Sequence, residues 1–85
     1  MIEFSYTVTD PNGIHARPAG LLAKEALQYQ SDITVKKGES YANMKGLFSL
    51  MALAVKNGDI ITISISGKDE TKAATGIREY LEKNI

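Results

Sequence analysis

The chain has 85 residues, of which 44% are hydrophobic and 24% are charged. This composition excludes a disordered protein, and the length predicts a single domain over residues 1–85. Ten basic and ten acidic residues give a formal net charge of zero, so the chain lacks the positive field of a nonspecific nucleic-acid binder. The sequence contains no cysteine, which excludes disulfides and thiolate metal sites.

The sequence shows neither a targeting signal nor a membrane span. The stretch Met1–Ser5 lacks the basic and then apolar run of a signal peptide. The longest apolar stretch, residues 47–55, is interrupted by Ser49 and is too short to cross a bilayer. We therefore expect a cytoplasmic protein that does not insert into membranes.

The first part of the chain predicts one strand and one helix. Apolar side chains alternate with polar ones over residues 4–8, as in a strand with one buried face, and the turn-forming residues 10–13 end it. The apolar spacing that follows predicts a helix from Ala16 to about Tyr29. The positions expected to face the core are Ala19, Leu22, Ala23, Ala26 and Leu27.

The remainder predicts three strands and two helices. Residues 33–36 and 40–43 form a hairpin, and residues 47–55 are too long and too rich in alanine for a strand, so we expect a short helix there. Alternating isoleucines within residues 61–65 predict the clearest strand. Asp69 is the expected N-cap of the last helix. The apolar stripe of that helix consists of Ala73, Ala74, Ile77, Tyr80 and Leu81.

The predicted order is strand, helix, strand, strand, helix, strand, helix. Because the strands alternate rather than being apolar throughout, one face of their sheet is expected to meet solvent while the other packs on helices. The sequence therefore predicts an α+β open-faced sandwich, in which three helices cover one face of a four-stranded antiparallel sheet.

The single histidine lies in the segment Gly13–Ala19, beside Arg17, where the first helix is expected to begin. A neutral imidazole is nucleophilic near physiological pH. A phosphoryl group on His15 would meet the unpaired N–H groups of the helix start and the guanidinium of Arg17. The segment therefore indicates reversible phosphoryl transfer. Since a residue before proline avoids helical angles, the helix boundary stays open between His15 and Arg17.

The predicted helix at residues 47–55 has two apolar faces. Leu50 and Leu53 are expected in the core, and so short a helix cannot bury its other face in a domain of this size. An exposed docking patch is therefore predicted, formed by Leu47, Phe48 and Met51. The basic residues expected to rim this docking patch and to steer acidic partners are Arg17, Lys24 and Lys45. The alternatives are a wholly buried helix and lysines that are merely solvated.

These motifs resemble the histidine-containing phosphocarrier (HPr) family of the bacterial phosphoenolpyruvate-dependent sugar phosphotransferase system. The resemblance covers essentially the whole chain. It rests on residues 12–19, on residues 43–45 with the apolar run after them, and on residues 59–67. The first segment is highly specific, and the others mainly align the fold.

The resemblance implies a phosphocarrier rather than an enzyme, acting as a monomer without cofactor or metal. His15 would accept a phosphoryl group at Nδ1 from phosphorylated Enzyme I and pass it to a histidine of a sugar-specific IIA domain. Ala16 and Arg17 would bind the phosphoryl oxygens. The residues implied to contact the partners are Gly20, Lys24, Lys45, Leu47, Phe48 and Met51.

One position departs from the family pattern. Gly46 stands where the family commonly carries a serine that an ATP-dependent kinase phosphorylates, so the resemblance implies that this control is absent. As a helix N-cap, glycine is only about a few tenths of a kcal/mol less favourable than serine. The departure leaves two roles open, the main sugar-system carrier and a paralogue in a regulatory chain such as nitrogen signalling.

Other classes of function remain alternatives. A lone histidine is commonly a surface residue without a chemical role. A regulatory binding module that had kept the fold without the transfer would be expected to lack His15, which is present. Small α+β domains also bind RNA, but zero net charge and the lack of an aromatic cluster on a strand argue against a nucleic-acid partner.

Overall fold

A computed structural model of the chain describes residues 1–14 and 16–85, with Ala16 described by its backbone alone. Within these residues, four strands and three helices follow the order expected from the sequence. Their bounds are β1 Ile2–Thr7, α1 Ala16–Ala26, β2 Asp32–Lys37, β3 Ser40–Asn43, α2 Leu47–Ala52, β4 Ile60–Ser66 and α3 Glu70–Asn84. None of the helices described is both long enough and apolar enough to cross a membrane.

The strands pair as one antiparallel sheet in the order β1-β4-β2-β3. β4 lies in the interior of the sheet, where Ile63 is opposite Phe4 on one side and Val35 on the other. β2 and β3 are joined by a tight turn at Gly38 and Glu39. Gly38 has a φ of 59°, a left-handed conformation that glycine adopts without steric cost. The predicted hairpin and the antiparallel sheet are confirmed.

One face of the sheet packs on the helices and holds the hydrophobic core. The side chains of β4 alternate, so that its isoleucines at 61, 63 and 65 are fully buried while Thr62 and Ser64 lie on the open face. Burial of each large aliphatic side chain stabilises the fold by about 1.5 to 3 kcal/mol. The helices contribute the fully buried residues Ala19, Leu22, Ala26, Leu50, Ala73, Ile77 and Leu81. The predicted open-faced sandwich is confirmed.

The first helix ends earlier than the sequence predicts. α1 stops at Ala26 rather than near Tyr29, and the N–H groups of Gln28 and Tyr29 donate to carbonyls only three residues back, in a tightened final turn. Leu27 lies in this turn, where the helical spacing no longer directs its side chain to the core. The prediction that Leu27 faces the core is therefore wrong, since this side chain is 64% exposed.

The second helix is also shorter than predicted. α2 ends at Ala52 because Ala54 adopts a left-handed φ of 52° while its N–H donates to the carbonyl of Met51. That conformation costs a residue other than glycine about 1 to 2 kcal/mol. The chain then turns back, and Val55 is buried.

Asp69 precedes α3 as predicted, but its side chain does not cap that helix. The carboxylate instead accepts hydrogen bonds from the hydroxyl of the buried Ser31 and from the N–H groups of Gln30 and Ser31, the latter two at 2.9 Å. These contacts hold the connection between α1 and β2 against the start of α3. They also lower the pKa of the Asp69 carboxyl, with the Ser31 hydroxyl as the main cause and the Gln30 amide next.

We expect Asp69→Asn to lower the free energy of unfolding and to make that free energy less dependent on pH in the acid range. Because the pKa of Asp69 is lower in the folded chain than the unfolded value of about 3.9, its stabilisation is present above that value and is lost as the pH falls through the folded pKa. Urea unfolding between neutral and strongly acidic pH measures this. Asp32→Asn, which removes an exposed carboxylate of β2, is the control. An Asp69→Asn chain with an unchanged pH slope would contradict the prediction.

Candidate functional site

The segment that leads into α1 is held by the loop that follows α2. The N–H of Ile14 donates to the carbonyl of Val55 at 3.0 Å, and both side chains are buried. Gly13 has a φ of 66°, and a Cβ atom on it would lie 2.2 Å from the Val55 oxygen. Only glycine permits so close an approach of two backbones. The chain therefore enters α1 from a defined position.

Among the described residues α1 begins at Ala16, so Arg17 lies inside the helix, whereas the predicted phosphoacceptor His15 lies outside the described residues. Arg17 and Pro18 are both in the first turn. Pro18 has no backbone N–H, but no helical hydrogen bond is lost at this position, because the first four N–H groups of a helix have no intrahelical acceptor. The residue that follows His15 is thus the start of a helix, where backbone donors and the positive dipole end favour an anion.

Arg17 is an exposed cation where a helix favours an anion. The first turn of α1 contains no acidic residue, and a cation there is unfavourable by about 0.3 to 1 kcal/mol. Arg17 lines a surface groove of about 280 Å³ together with Asp10, Pro18 and Leu21. A bound anion would turn this unfavourable charge into a favourable one. Arg17 is the one basic residue among the described residues that line this groove and would attract an oxyanion, whereas the carboxylate of Asp10 in the same lining would oppose one.

Two of the three side chains predicted to form the exposed docking patch are exposed, and the prediction that Leu47 is exposed is wrong. Phe48 is 81% exposed and Met51 is 39% exposed, whereas the two leucines expected in the core are buried. Leu47 is half-buried because it packs against the core and faces α1. A Cβ atom on Gly20 would lie 3.9 Å from Leu47 Cδ1, so the two helices are in contact at this point.

The two lysines predicted to rim the docking patch lie at the end of α1. Lys24 is exposed in the last turn, where the negative end of the helix dipole favours a cation. Lys45 is half-buried, and its Nζ donates to the carbonyl of Tyr29 at 2.7 Å. The ammonium of Lys45 therefore has a structural partner, which differs both from the predicted steering role and from the solvated alternative.

The acidic side chains do not supply a metal centre. Among the residues that the structure describes, no three of the types His, Cys, Asp and Glu lie close enough together to hold a metal ion. Asp59 instead accepts a hydrogen bond from the N–H of Lys56 at 2.8 Å and pairs with Lys37 at 3.3 Å. These contacts lower the pKa of the Asp59 carboxyl, and the hydrogen bond from the Lys56 amide is the largest cause.

One exposed residue that lines the groove with Arg17 was not predicted from the sequence. Leu21 is 48% exposed and lines the groove with Arg17. It lies four residues after Arg17, on the same side of α1, and outside the stripe that faces the core. That spacing would have been sufficient to find it.

Comparison with known proteins identifies the family. Residues 2–83 match the family model described as PTS HPr component phosphorylation site. The phosphocarrier protein HPr of Mycoplasma capricolum subsp. capricolum is 43% identical over 81 residues, which cover 95% of this chain and 91% of that protein.

Solved structures agree with this assignment. A Mycoplasma histidine-containing phosphocarrier protein superposes with a TM-score of 0.92 at 40% identity, over 96% of this chain and 93% of that one. Crh, the catabolite repression protein of Bacillus subtilis, has a TM-score of 0.78 at 32% identity, over 100% of this chain and 98% of its own, and is described as a swapped dimer. The full-length match in sequence and fold shows that this chain belongs to the HPr family of phosphocarrier proteins of the phosphotransferase system.

Proposed function

We propose that this phosphocarrier accepts a phosphoryl group on His15 from phosphorylated Enzyme I and passes it to a sugar-specific IIA domain. The observation that carries the proposal is Arg17 in the first turn of α1, two residues after His15 in the sequence. A guanidinium and the free N–H groups of a helix start together provide the donors that phosphoryl oxygens need. An imidazole supplies the nucleophile at physiological pH.

The proposed chemistry exchanges one bond to phosphorus for another. In the first transfer the Nδ1 lone pair of His15 attacks phosphorus while the bond to the Enzyme I donor atom breaks. In the second, a histidine nitrogen of the IIA domain attacks and the P–N bond to His15 breaks. The transition state is loose and spreads negative charge over three oxygens, so positioning and charge stabilisation are the main contributions required of the carrier. We assign the stabilisation to Arg17 and to the backbone N–H groups from Ala16 onward.

The docking patch supports recognition of successive partners. Phe48 and Met51 offer exposed apolar surface on α2, and an aromatic side chain is an effective anchor in an interface. Arg17 and Lys24 add positive charge that steers acidic partners, and Gly20 has no side chain to obstruct them. Lys45 contributes less, because its ammonium already donates to a backbone carbonyl.

We also propose that the chain acts as a cytoplasmic monomer and a stoichiometric carrier, with no cofactor of its own. A monomer leaves the docking patch free for one partner after another. Sedimentation over a range of concentrations should give a single species near 9.3 kDa. A swapped dimer of twice that mass, as described for Crh, would contradict this part of the proposal.

A paralogue serving a regulatory chain is the second candidate, which Gly46 leaves open. Gly46 is the N-cap of α2 with φ −104° and ψ 111°, an extended conformation open to any residue. A Cβ atom there would lie 3.2 Å from Ser49 Oγ, which a small rotation of Ser49 relieves. The backbone therefore does not require glycine. Its presence in place of the usual serine fits a carrier released from kinase control.

Phosphorylation of the intact chain tests the primary proposal. With purified Enzyme I and phosphoenolpyruvate, we expect the mass to rise by one phosphoryl group, in an adduct that is labile in acid and stable in base. The adduct should pass to a IIA domain. His15→Ala is the control and should stay unmodified. A wild-type chain that gains no phosphoryl group from Enzyme I would refute the proposed donor.

Arg17→Lys separates the catalytic contribution of the guanidinium from its charge. We expect phosphoryl transfer to slow by about 10- to 100-fold, because an ammonium cannot reproduce the planar fork of donors. Stability should change by less than about 0.5 kcal/mol, since the side chain is exposed. Single-turnover transfer and urea unfolding measure the two effects. Comparable losses in rate and in stability would count against the role assigned to Arg17.

Gly46→Ser tests whether the N-cap of α2 tolerates the usual residue. We expect the free energy of unfolding to rise by about 0.5 kcal/mol, because a serine hydroxyl accepts a hydrogen bond from the first turn and the unfolded chain loses freedom. Gly46→Ala, which lacks the hydroxyl, should gain less. Urea unfolding provides the comparison, and a loss above about 1 kcal/mol in Gly46→Ser would show that the fold requires glycine here.

A further inference from the structure

Lys37 holds both ends of the loop between α2 and β4, residues 53–59. It is the last residue of β2, and its side chain lies on the helix-covered face of the sheet. Its Nζ donates to the carbonyl of Ala54 at 2.8 Å and to that of Leu53 at 3.3 Å. The same ammonium lies 3.3 Å from the carboxylate of Asp59. An ammonium has three donor hydrogens, so these three oxygens account for all of them.

This loop depends on an external contact at its beginning. The last carbonyls of a helix have no intrahelical donor, and a lysine ammonium satisfies them well. Ala54 in addition holds a left-handed φ of 52°, which only surrounding contacts maintain in a residue with a Cβ atom. α2 itself has only six residues and contributes little stability of its own. One of the two carbonyl contacts of Lys37 is to Ala54 itself, and the other is to the residue before it.

The loop in turn fixes the segment that precedes His15. Val55 directly follows Ala54, and its carbonyl accepts the hydrogen bond from the N–H of Ile14. Gly13 lies against the same oxygen with no room for a side chain. A movement of the loop at Ala54 would therefore move Ile14, which immediately precedes His15 in the chain.

We propose that Lys37 is a positioning residue for phosphoryl transfer. By holding the carbonyls of Leu53 and Ala54, it keeps the Val55 oxygen where it anchors Ile14. Ile14 immediately precedes His15 in the chain, so the proposal is that this anchor sets where the chain enters the transfer site. This inference rests on the proposed function of His15. Lys37 acts through the backbone, because its donors are engaged within the loop and are not available to a phosphoryl group.

An ordinary surface ion pair is the competing explanation. Lys37 and Asp59 are each about one-third exposed, and the net contribution of such a solvent-screened pair to stability is small. If the pair with Asp59 were the only contact that mattered, loss of Lys37 would have no specific effect on Ile14. The carbonyl contacts predict the opposite, a change confined to the loop and to its partner segment.

The experiment compares Lys37→Met with Lys37→Arg and with Lys36→Met. Methionine keeps the aliphatic stem of Lys37 and removes its donors, and arginine keeps the positive charge and offers N–H donors at the same position. Lys36 is exposed on the open face of the sheet, so Lys36→Met removes the same charge without touching the loop. A difference between the two methionine variants cannot arise from net charge.

Two measurements are made on each chain, the single-turnover rate from phosphorylated Enzyme I and amide hydrogen exchange. In Lys37→Met we expect the saturating transfer rate to fall by about 5- to 50-fold while the Enzyme I concentration giving half-maximal rate stays within about twofold. Exchange of the Ile14 amide should accelerate by about tenfold or more, while that of Ile63 in the sheet changes by less than about threefold. Lys37→Arg and Lys36→Met should resemble the wild type.

A wild-type transfer rate in Lys37→Met would overturn the inference. So would equal acceleration of the Ile14 and Ile63 amides, which would indicate general destabilisation. If the wild-type chain itself takes no phosphoryl group, the proposed function fails instead. The exchange comparison then still decides whether Lys37 holds Ile14, since it requires no phosphoryl transfer.

Discussion

The geometry of the candidate site depends on one backbone contact, between the segment that leads into α1 and the loop that follows α2. The N–H of Ile14 reaches the carbonyl of Val55 in a buried position, and the absence of a side chain at Gly13 allows the two backbones to meet. A buried donor left without an acceptor costs about 1 to 3 kcal/mol, so a shift of the loop that broke this hydrogen bond would be unfavourable. The start of α1 is therefore positioned by a loop distant in sequence.

The placement of cations at helix ends distinguishes structural residues from the candidate functional one. Lys45 donates to the carbonyl of Tyr29 after α1, and Lys37 donates to the last carbonyls after α2. Both cations lie where a helix dipole favours them. Arg17 lies at the beginning of α1, where the dipole opposes it. Under the proposed function, an arriving phosphoryl group would offset this unfavourable interaction.

Sequence periodicity predicted the elements well and their ends less well. The alternation of Ile61, Ile63 and Ile65 identified the central strand, since every second side chain of a strand points to the same face of the sheet. Leu27 satisfied the helical spacing and is nevertheless exposed, because α1 tightens and stops before it. Ala54 satisfied the helical pattern as well, and its left-handed conformation follows from contacts that no local pattern contains.

The amino-acid order alone was enough for the class of fold and the exposure of Phe48, because each depends on neighbours along the chain. The strand order β1-β4-β2-β3, the use of Asp69 to hold Ser31 instead of its own helix, and the half-burial of Leu47 emerged only from the tertiary structure. Each of these depends on which distant segments meet. A side chain contacts the residues that lie near it in three dimensions, and the periodicity along one helix or strand does not reveal which distant segments those are.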